Sequence, residues 1–327
     1  MSEHLDMMRN LTKEKDFFVG IDSDGCAFDT MEIKQKECFI PNTCLHWGLQ
    51  AVSSLARETA EFVNLHSRWR GTNRFPALVK VFDLLAERPE AIERGYRTPE
   101  IPALRHWVGH EAALGNATLK KELDRTGAPD LKRTLDWSLA INKAIAKLVH
   151  GVPAFQHVRE SLQRLVEVAD VMCVSATPQE ALRREWDEHG LAKYARIIAG
   201  QEMGSKREHL QHAAVGKYDP DKILMVGDAL GDKQAAADNG VMFYPINPGR
   251  EADSWKRFLD EGIGRFLAGK FRGAYEDKLF KEFMRYLPDV PPWKIGTGTI
   301  FPSHRGKPTG EFDLATSGNE PYAEEEK

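Results

Sequence analysis

Five short, nearly unbroken apolar runs place the strongest limit on what this chain can fold into. They fall at residues 17–21 ("FFVGI"), 170–174 ("DVMCV"), 196–199 ("RIIA"), 223–226 ("ILMV") and 241–246 ("VMFYPI"). Near-continuous apolar strands are those covered on both faces, and helical patterns lie between the last four runs. Strands alternating with helices in this way build a parallel sheet.

The stretch between the first and second runs breaks that rhythm. It is roughly 140 residues long, where a simple crossover needs little more than a dozen. It reads as helix almost throughout. Val52, Leu55, Ala56, Phe62 and Val63 recur at helical spacing, as do Leu78, Val81, Phe82 and Leu85, and again Ile141, Ala144, Ile145 and Leu148. "ERPE", "GYRTPEIP" and "RTGAPD" punctuate them. The expected organisation is a discontinuous α/β core of residues 1–30 and 151–250, with a helical second domain of 31–150 inserted in it. Trp255, Phe258, Leu259 and Ile263, then Tyr275, Leu279, Phe283 and Tyr286, predict further helices within 251–287. Residues 288–327 turn to Pro, Gly, Ser and Thr and read as an irregular tail.

Composition narrows the class. The 327 residues are 42% hydrophobic and 29% charged, with a formal net charge of −4. That is an ordinary balance for a globular chain, and it advertises neither nucleic acid nor an anionic membrane as partner. Cys26, Cys38, Cys44 and Cys173 show no CxxC pair and no zinc-like spacing, which predicts a reducing, cytoplasmic setting. The start, "MSEHLDMMRNLTKEKD", is too polar for a signal peptide, and no apolar run approaches the roughly 18 residues of a membrane span.

Ligands of an open parallel sheet bind where the carboxyl ends of the strands meet their loops. Asp22 and Asp24 follow the first run, Ser175, Ala176 and Thr177 the second, Lys206 the third, and Asp228 and Asp232 the fourth. Gathered carboxylates repel one another unless a cation sits among them, and an all-oxygen set suits Mg²⁺. A hydroxyl, backbone N–H groups and an ammonium are what a phosphate needs. One carboxylate can attack phosphorus while a second, two residues on, moves protons.

The ordered set resembles the haloacid dehalogenase superfamily of phosphohydrolases. "DSDG" at 22–25 resembles its first motif, "VMCVSAT" its second, Lys206 its third, and "VGDALGDKQAAADNG" its fourth. The resemblance implies a Rossmann-like core with an inserted all-helical cap, as in the phosphatase and phosphoglucomutase branch. It implies Asp22 as nucleophile and Mg²⁺ ligand, and Asp24 as general acid/base with its backbone carbonyl on the metal. Ser175, the backbone at Ala176 and Lys206 would hold the phosphoryl group, while Asp228 and Asp232 would complete the metal site. Gly25 would allow the sharp turn, and Cys26 departs from the usual residue there. Dehalogenase members lack the second aspartate, so Asp24 points to phosphate esters.

Gly71 and Arg74 match the spacing of a cap loop that reads substrate in related enzymes, with Arg68 and Arg70 as further candidates. Asp29 and Thr30 are expected to cap or brace the loop and following helix, and Cys26 to be a buried filler. Trp137 and the region of Trp47 are expected in the cap core. Hinges are expected near 29–34 and 150–153. The first functional expectation is Mg²⁺-dependent hydrolysis of a small phosphorylated metabolite. A phosphomutase using the same intermediate and a non-catalytic binding module are the alternatives. The oligomeric state is not legible.

Overall fold

β1 (Phe17–Ile21), β2 (Ala169–Val174), β3 (Ile197–Ala199), β4 (Ile223–Gly227) and β5 (Met242–Pro245) form one parallel sheet in the order β3-β2-β1-β4-β5. The computed structural model describes residues 2–295. The order reverses direction at β1. The chain steps outward through β2 and β3, then returns to lay β4 on the other side. That reversal opens a crevice between the ends of β1 and β4, where ligands of such sheets bind. Register carries the same message: Ile21 pairs with both Cys173 and Val226, so the residues that follow all three strands emerge at one level.

Two apolar layers hold the sheet. Val19, Ile21, Val171, Cys173, Leu224, Val226, Met242 and Tyr244 point to one face, against Leu162, Leu165, Trp186, Trp255 and Phe258. Phe18, Met172, Val174, Met225 and Phe243 point to the other, against Leu210, Ala213, Ala236 and Phe283. Alternate residues of each strand thus meet apolar neighbours on both sides, which is why the runs lack a polar phase. Each fully buried Phe, Leu or Ile contributes roughly 1.5–3 kcal/mol. Such a core can carry the cost of the acidic rim above it. Pro245 sits on an edge strand, where its missing N–H removes no interior ladder bond. Asp170 is buried within β2 and is satisfied by the backbone N–H groups of Glu14 and Lys15, the Tyr218 hydroxyl and Arg196.

Between β1 and β2 the described chain is helical, including Ser53–Leu65, Arg74–Ala86 and Pro129–Leu148. A π-helical stretch, Lys34–Phe39, a conformation that often marks functional sites, follows its first turn, Thr30–Ile33. These helices enclose a separate apolar cluster with Trp47, Phe75, Phe82, Trp107 and Trp137 at its centre. Trp137 donates through Nε1 to Thr43 Oγ1 at 3.0 Å, so its polar edge is satisfied inside that cluster. No described helix is long and apolar enough to cross a membrane.

The helices after β5 include Glu251–Arg257, Ile263–Leu267 and Ala274–Phe283. Trp255 reaches across and donates from Nε1 to Cys26 O at 2.8 Å, bracing the loop after β1. The described residues up to Pro291 form one compact unit. Of the irregular tail expected over 288–327, residues 292–295 form a helical turn, and the part beyond Ile295 lies outside the described residues.

Candidate active site

The loop after β1 is tightly tied. Ser23 O accepts from the N–H groups of Cys26, Ala27 and Phe28, and Gly25 N donates to Phe28 O. Gly25 adopts φ 73°, and a Cβ there would lie 2.5 Å from Arg70 Nη2 and 2.7 Å from Asp228 Oδ2. Only glycine fits both the conformation and the space. Ser23 Oγ donates to Glu185 Oε2 at 2.9 Å and accepts from Trp186 Nε1 at 3.0 Å, so the helix Gln179–Glu188 fixes the loop from below.

Asp22, Asp228 and Asp232 converge. Each offers a carboxylate oxygen, and these oxygens lie within 4.8 Å of one another. All three residues are buried. Lys206 enters between two of them, its Nζ donating to Asp22 Oδ2 at 2.7 Å and to Asp232 Oδ1 at 2.5 Å. Its place is set by a capping box. Ser205 Oγ accepts from Glu208 N, Glu208 Oε2 accepts from Ser205 N, and Lys206 becomes the first residue of the helix. Asp232 likewise accepts from Ala229 N through Oδ2 at 3.1 Å, which locks the loop after β4.

The electrostatics follow from burial. Burial pushes the Asp22 carboxyl up to about 6, with Lys206 opposing and Asp232 adding to the rise. Asp228 is likewise raised to about 6 by burial, against the pull of Arg70. Burial works against the Lys206 ammonium, but Asp22 and Asp232 more than offset it and raise its pKa above the ordinary lysine value. Asp228 Oδ1 is buried with no hydrogen-bond partner among the described residues. An unmet buried carboxylate oxygen is costly. Three buried carboxylates, one with an unmet oxygen, fit a hard divalent cation such as Mg²⁺.

Asp24 is held differently. Thr30 Oγ1 donates to its Oδ1 at 2.6 Å, Lys34 Nζ to the same oxygen at 2.5 Å, and Thr177 Oγ1 to Oδ2 at 2.6 Å. Burial pushes this carboxyl up, but the Lys34 charge and the bonds from Lys34, Thr177 and Thr30 outweigh it and hold the group below the usual aspartate value. Two carboxylates two residues apart are therefore driven in opposite directions. Thr30, Lys34 and Thr177 also line a cleft with Ile145, Val149 and His150 of the inserted segment and Arg184 and Glu185 of the core.

Ser175 is buried beside Ala199 O, to which its N–H donates at 3.0 Å, and its Oγ accepts from Thr177 N at 3.2 Å. Ala176 is exposed at the rim. Asp29 occupies the N-cap of a short helix without a side-chain cap bond, and the neighbouring Thr30 binds Asp24. Cys26 is fully buried, and burial beside Asp228 and Asp22 pushes its thiol up, as suits a filler.

Arg74 is bonded within the helical segment. Its Nη1 donates to Ser138 Oγ at 3.0 Å and to Asn142 Oδ1 at 2.7 Å, and its guanidinium lies over the Phe39 ring. Burial pulls its pKa down to about 10. No hydrogen bond or ion pair among the described residues joins it to the carboxylates. Placed at the first position of its helix, it points along the helical segment and knits that segment together. Arg74→Ala should therefore lower the melting temperature and depress turnover of small and large phosphate esters alike. A loss confined to the larger ester would restore a substrate contact.

Arg70 reaches the cluster instead. Its Nε donates to Asp228 Oδ2 at 2.6 Å, and both side chains are buried. Removing one partner of such a pair costs about 3–5 kcal/mol. Lys34 and Glu185 are the residues the sequence reading does not single out. The available signal was the i, i+4 spacing of Thr30 and Lys34, which puts both on one helix face toward Asp24.

The raised carboxyls give a pH signature. Folded Asp22 and Asp228 hold protons to about 6 and Glu185 to about 7, above their ordinary values of 3.8 and 4.5. Stability from such groups is full below the unfolded values and is lost as pH rises through the folded ones. His209, lowered to about 4 chiefly by burial, opposes them. The shifts of Asp22, Asp228 and Glu185 together exceed that of His209, and lowered Asp24 acts only below this window, so in chelator the melting temperature should be higher at pH 5 than at pH 7.5. The reverse order in a thermal scan would contradict the assigned burial.

No family model matches the chain, and a search of curated proteins returns no match. Among solved structures it is similar to a haloacid dehalogenase-like family hydrolase from Streptococcus pneumoniae, at 11% identity and TM-score 0.41, covering 73% of this chain and 90% of that one. It is similar also to a HAD-superfamily hydrolase of subfamily IA from Geobacter sulfurreducens, at 18% identity and TM-score 0.34, covering 72% and 89%. A third is a HAD-superfamily hydrolase from Ehrlichia chaffeensis, at 15% identity and TM-score 0.37, covering 77% and 100%. The chain's own strand order gives a parallel, Rossmann-like α/β core, with Asp22, Ser175 and Asp228 directly after strands β1, β2 and β4 and Lys206 at the start of the helix after β3.

Proposed function

We propose that the protein hydrolyses a phosphate monoester of a small metabolite, with Mg²⁺, through an aspartyl-phosphate on Asp22. The observation that carries this reading is the meeting of Asp22, Lys206, Asp228 and Asp232 at the switch point of the sheet. Three carboxylates there face two fixed cations, Lys206 and Arg70. One negative charge is left over, and a divalent cation turns the balance positive, as a phosphate dianion requires. Asp22, Asp228 and the backbone carbonyl of Asp24 would hold Mg²⁺, and Asp232 would orient its waters. When bound, the ion neutralises charge on the phosphoryl oxygens.

Asp22 Oδ attacks phosphorus and the ester oxygen leaves. Ser175 Oγ, Lys206 Nζ and the backbone at Ala176 hold the phosphoryl oxygens, and for this Lys206 exchanges a carboxylate partner for the substrate. Asp24 gives a proton to the leaving oxygen and later takes one from the water that releases phosphate. Held by Lys34, Thr30 and Thr177 it is a carboxylate, set for the second task. The first requires a proton on Asp24 and hence release from Lys34. Lys34 belongs to the inserted segment 31–150, which we assign as the cap, with hinges near 29–34 and 150–153. The leaving group lies in the cleft lined by Thr30, Lys34, His150 and Arg184. The free cysteines suit a reducing cytoplasm.

Metal-dependent release of inorganic phosphate from p-nitrophenyl phosphate tests the reading. Release with Mg²⁺ and none in excess chelator is expected, and Ca²⁺ should bind without supporting turnover. Full activity in chelator would exclude the site as described.

A further inference from the structure

We infer that Arg70, a residue of the inserted helical segment, positions Asp228 as a metal ligand, so that docking of the 67–73 turn and cation binding at the carboxylate cluster are one coupled event. The inference rests on the reading of Asp22, Asp228 and Asp232 as a Mg²⁺ site.

Arg70 spends its guanidinium on three different pieces of chain. Nη1 donates to Leu65 O at 2.9 Å, within its own segment. Nη2 donates to Gly25 O at 3.4 Å, in the loop that carries Asp22 and Asp24. Nε donates to Asp228 Oδ2 at 2.6 Å, in the loop after β4. The planar fork makes this possible, and a lysine could hold only part of it.

The contact on Asp228 is selective. One carboxylate oxygen takes Arg70, and the other, Oδ1, is buried without a donor. Arg70 thereby decides which oxygen a cation can reach and prevents the carboxylate from turning. Partners of metal ligands act in this way, and their loss typically weakens metal binding about 10–100-fold.

The turn that carries Arg70 is built to dock. Gly71 adopts φ 74°, and a Cβ on it would stand 2.6 Å from Ala229 Cβ, beside Asp228. Gly25 leaves the matching space for Arg70 on the other side. Arg68 pairs with Asp289, and Lys80 lies over the Trp69 ring at 4.4 Å, so the residues flanking Arg70 are anchored as well. A segment so fixed to a ligand must respond to what that ligand binds. By linkage, a cation that prefers the oriented Asp228 stabilises the docked turn by the same factor that docking strengthens the cation.

The test is a calorimetric titration with Mg²⁺ alone on the full chain, with hydrogen exchange of the 67–73 amides measured with and without Mg²⁺. Arg70→Ala should bind Mg²⁺ about 10–100-fold more weakly than wild type, and Arg70→Lys should fall between. Arg74→Ala, which loosens the same helices without touching Asp228, should keep wild-type affinity. In wild type, Mg²⁺ should slow exchange across 67–73. Wild-type affinity in a folded Arg70→Ala protein would overturn the inference while leaving the metal site standing. Should Arg70→Ala not fold, Arg70→Lys and the wild-type exchange decide, and equal affinity with unchanged exchange overturns it. A wild-type chain that binds no Mg²⁺ would remove the metal site, and the inference with it.

Discussion

Asp22→Asn should abolish phosphate release, lowering turnover by roughly 10³-fold or more, while the chain stays folded. The amide is a poor nucleophile and a weaker cation ligand, so both functions of the position fail together. Stability should not fall with them. Asp22 is buried and its carboxyl is raised to about 6, so its ionised form is costly at neutral pH. An uncharged isostere relieves that cost, and Lys206 keeps Asp232 as partner. In chelator at pH 7.5 the melting temperature of Asp22→Asn should equal or exceed that of wild type. A phosphate-release assay with a thermal scan on the same preparation checks both halves. Substantial turnover in the variant would exclude covalent catalysis at Asp22.

Asp24→Asn should slow both halves of the reaction, by roughly 10²–10⁴-fold for a substrate with a poor leaving group. An aryl phosphate needs little help from an acid. It should still phosphorylate the enzyme and then stall, because no base remains to activate water. The variant also leaves Lys34 facing an amide where it now faces a carboxylate at 2.5 Å, so a lower melting temperature is expected as well. The stall separates chemistry from damage, since a merely loosened site would slow phosphorylation by good and poor leaving groups alike. Pre-steady-state kinetics on an aryl and an alkyl ester measures the contrast.

The sheet is legible in the sequence because burial on both faces leaves no polar phase. Four of the five strands shift at their ends by a residue or so, as with Val241 and Ile246 flanking Met242–Pro245. The cause is local: ladder bonding, and not apolarity, ends a strand. The carboxylate cluster is legible for a related reason. A residue that directly follows a strand has its position set by the sheet, so Asp22, Ser175 and Asp228 need no tertiary knowledge to be placed. Lys206 is set by the capping box just before it.

What the sequence hides lies in the helical segment, where side-chain direction depends on how helices pack. Gly71 and Arg74 have the spacing of a substrate loop, yet Arg74 turns along its own segment to Ser138 and Asn142, while Arg70 turns inward to Asp228. Nothing in "SRWRGTNRF" ranks those arginines, because the deciding factor is the space left by Gly25 more than forty residues earlier. Lys34 is hidden likewise. It lies ten residues past Asp24, and only the turn at Gly25 and the helix from Thr30 bring the two together.

Trapping of the phosphorylated enzyme tests covalent catalysis at Asp22 most directly. Asp24→Asn is mixed with Mg²⁺ and an aryl phosphate, quenched in acid, digested and mapped by mass spectrometry. A hydroxylamine-labile phosphoryl group on Asp22, absent from the Asp22→Asn protein, is the expected result. A phosphoryl group on another residue such as Ser175, or turnover of the ester with none on the protein, would contradict it.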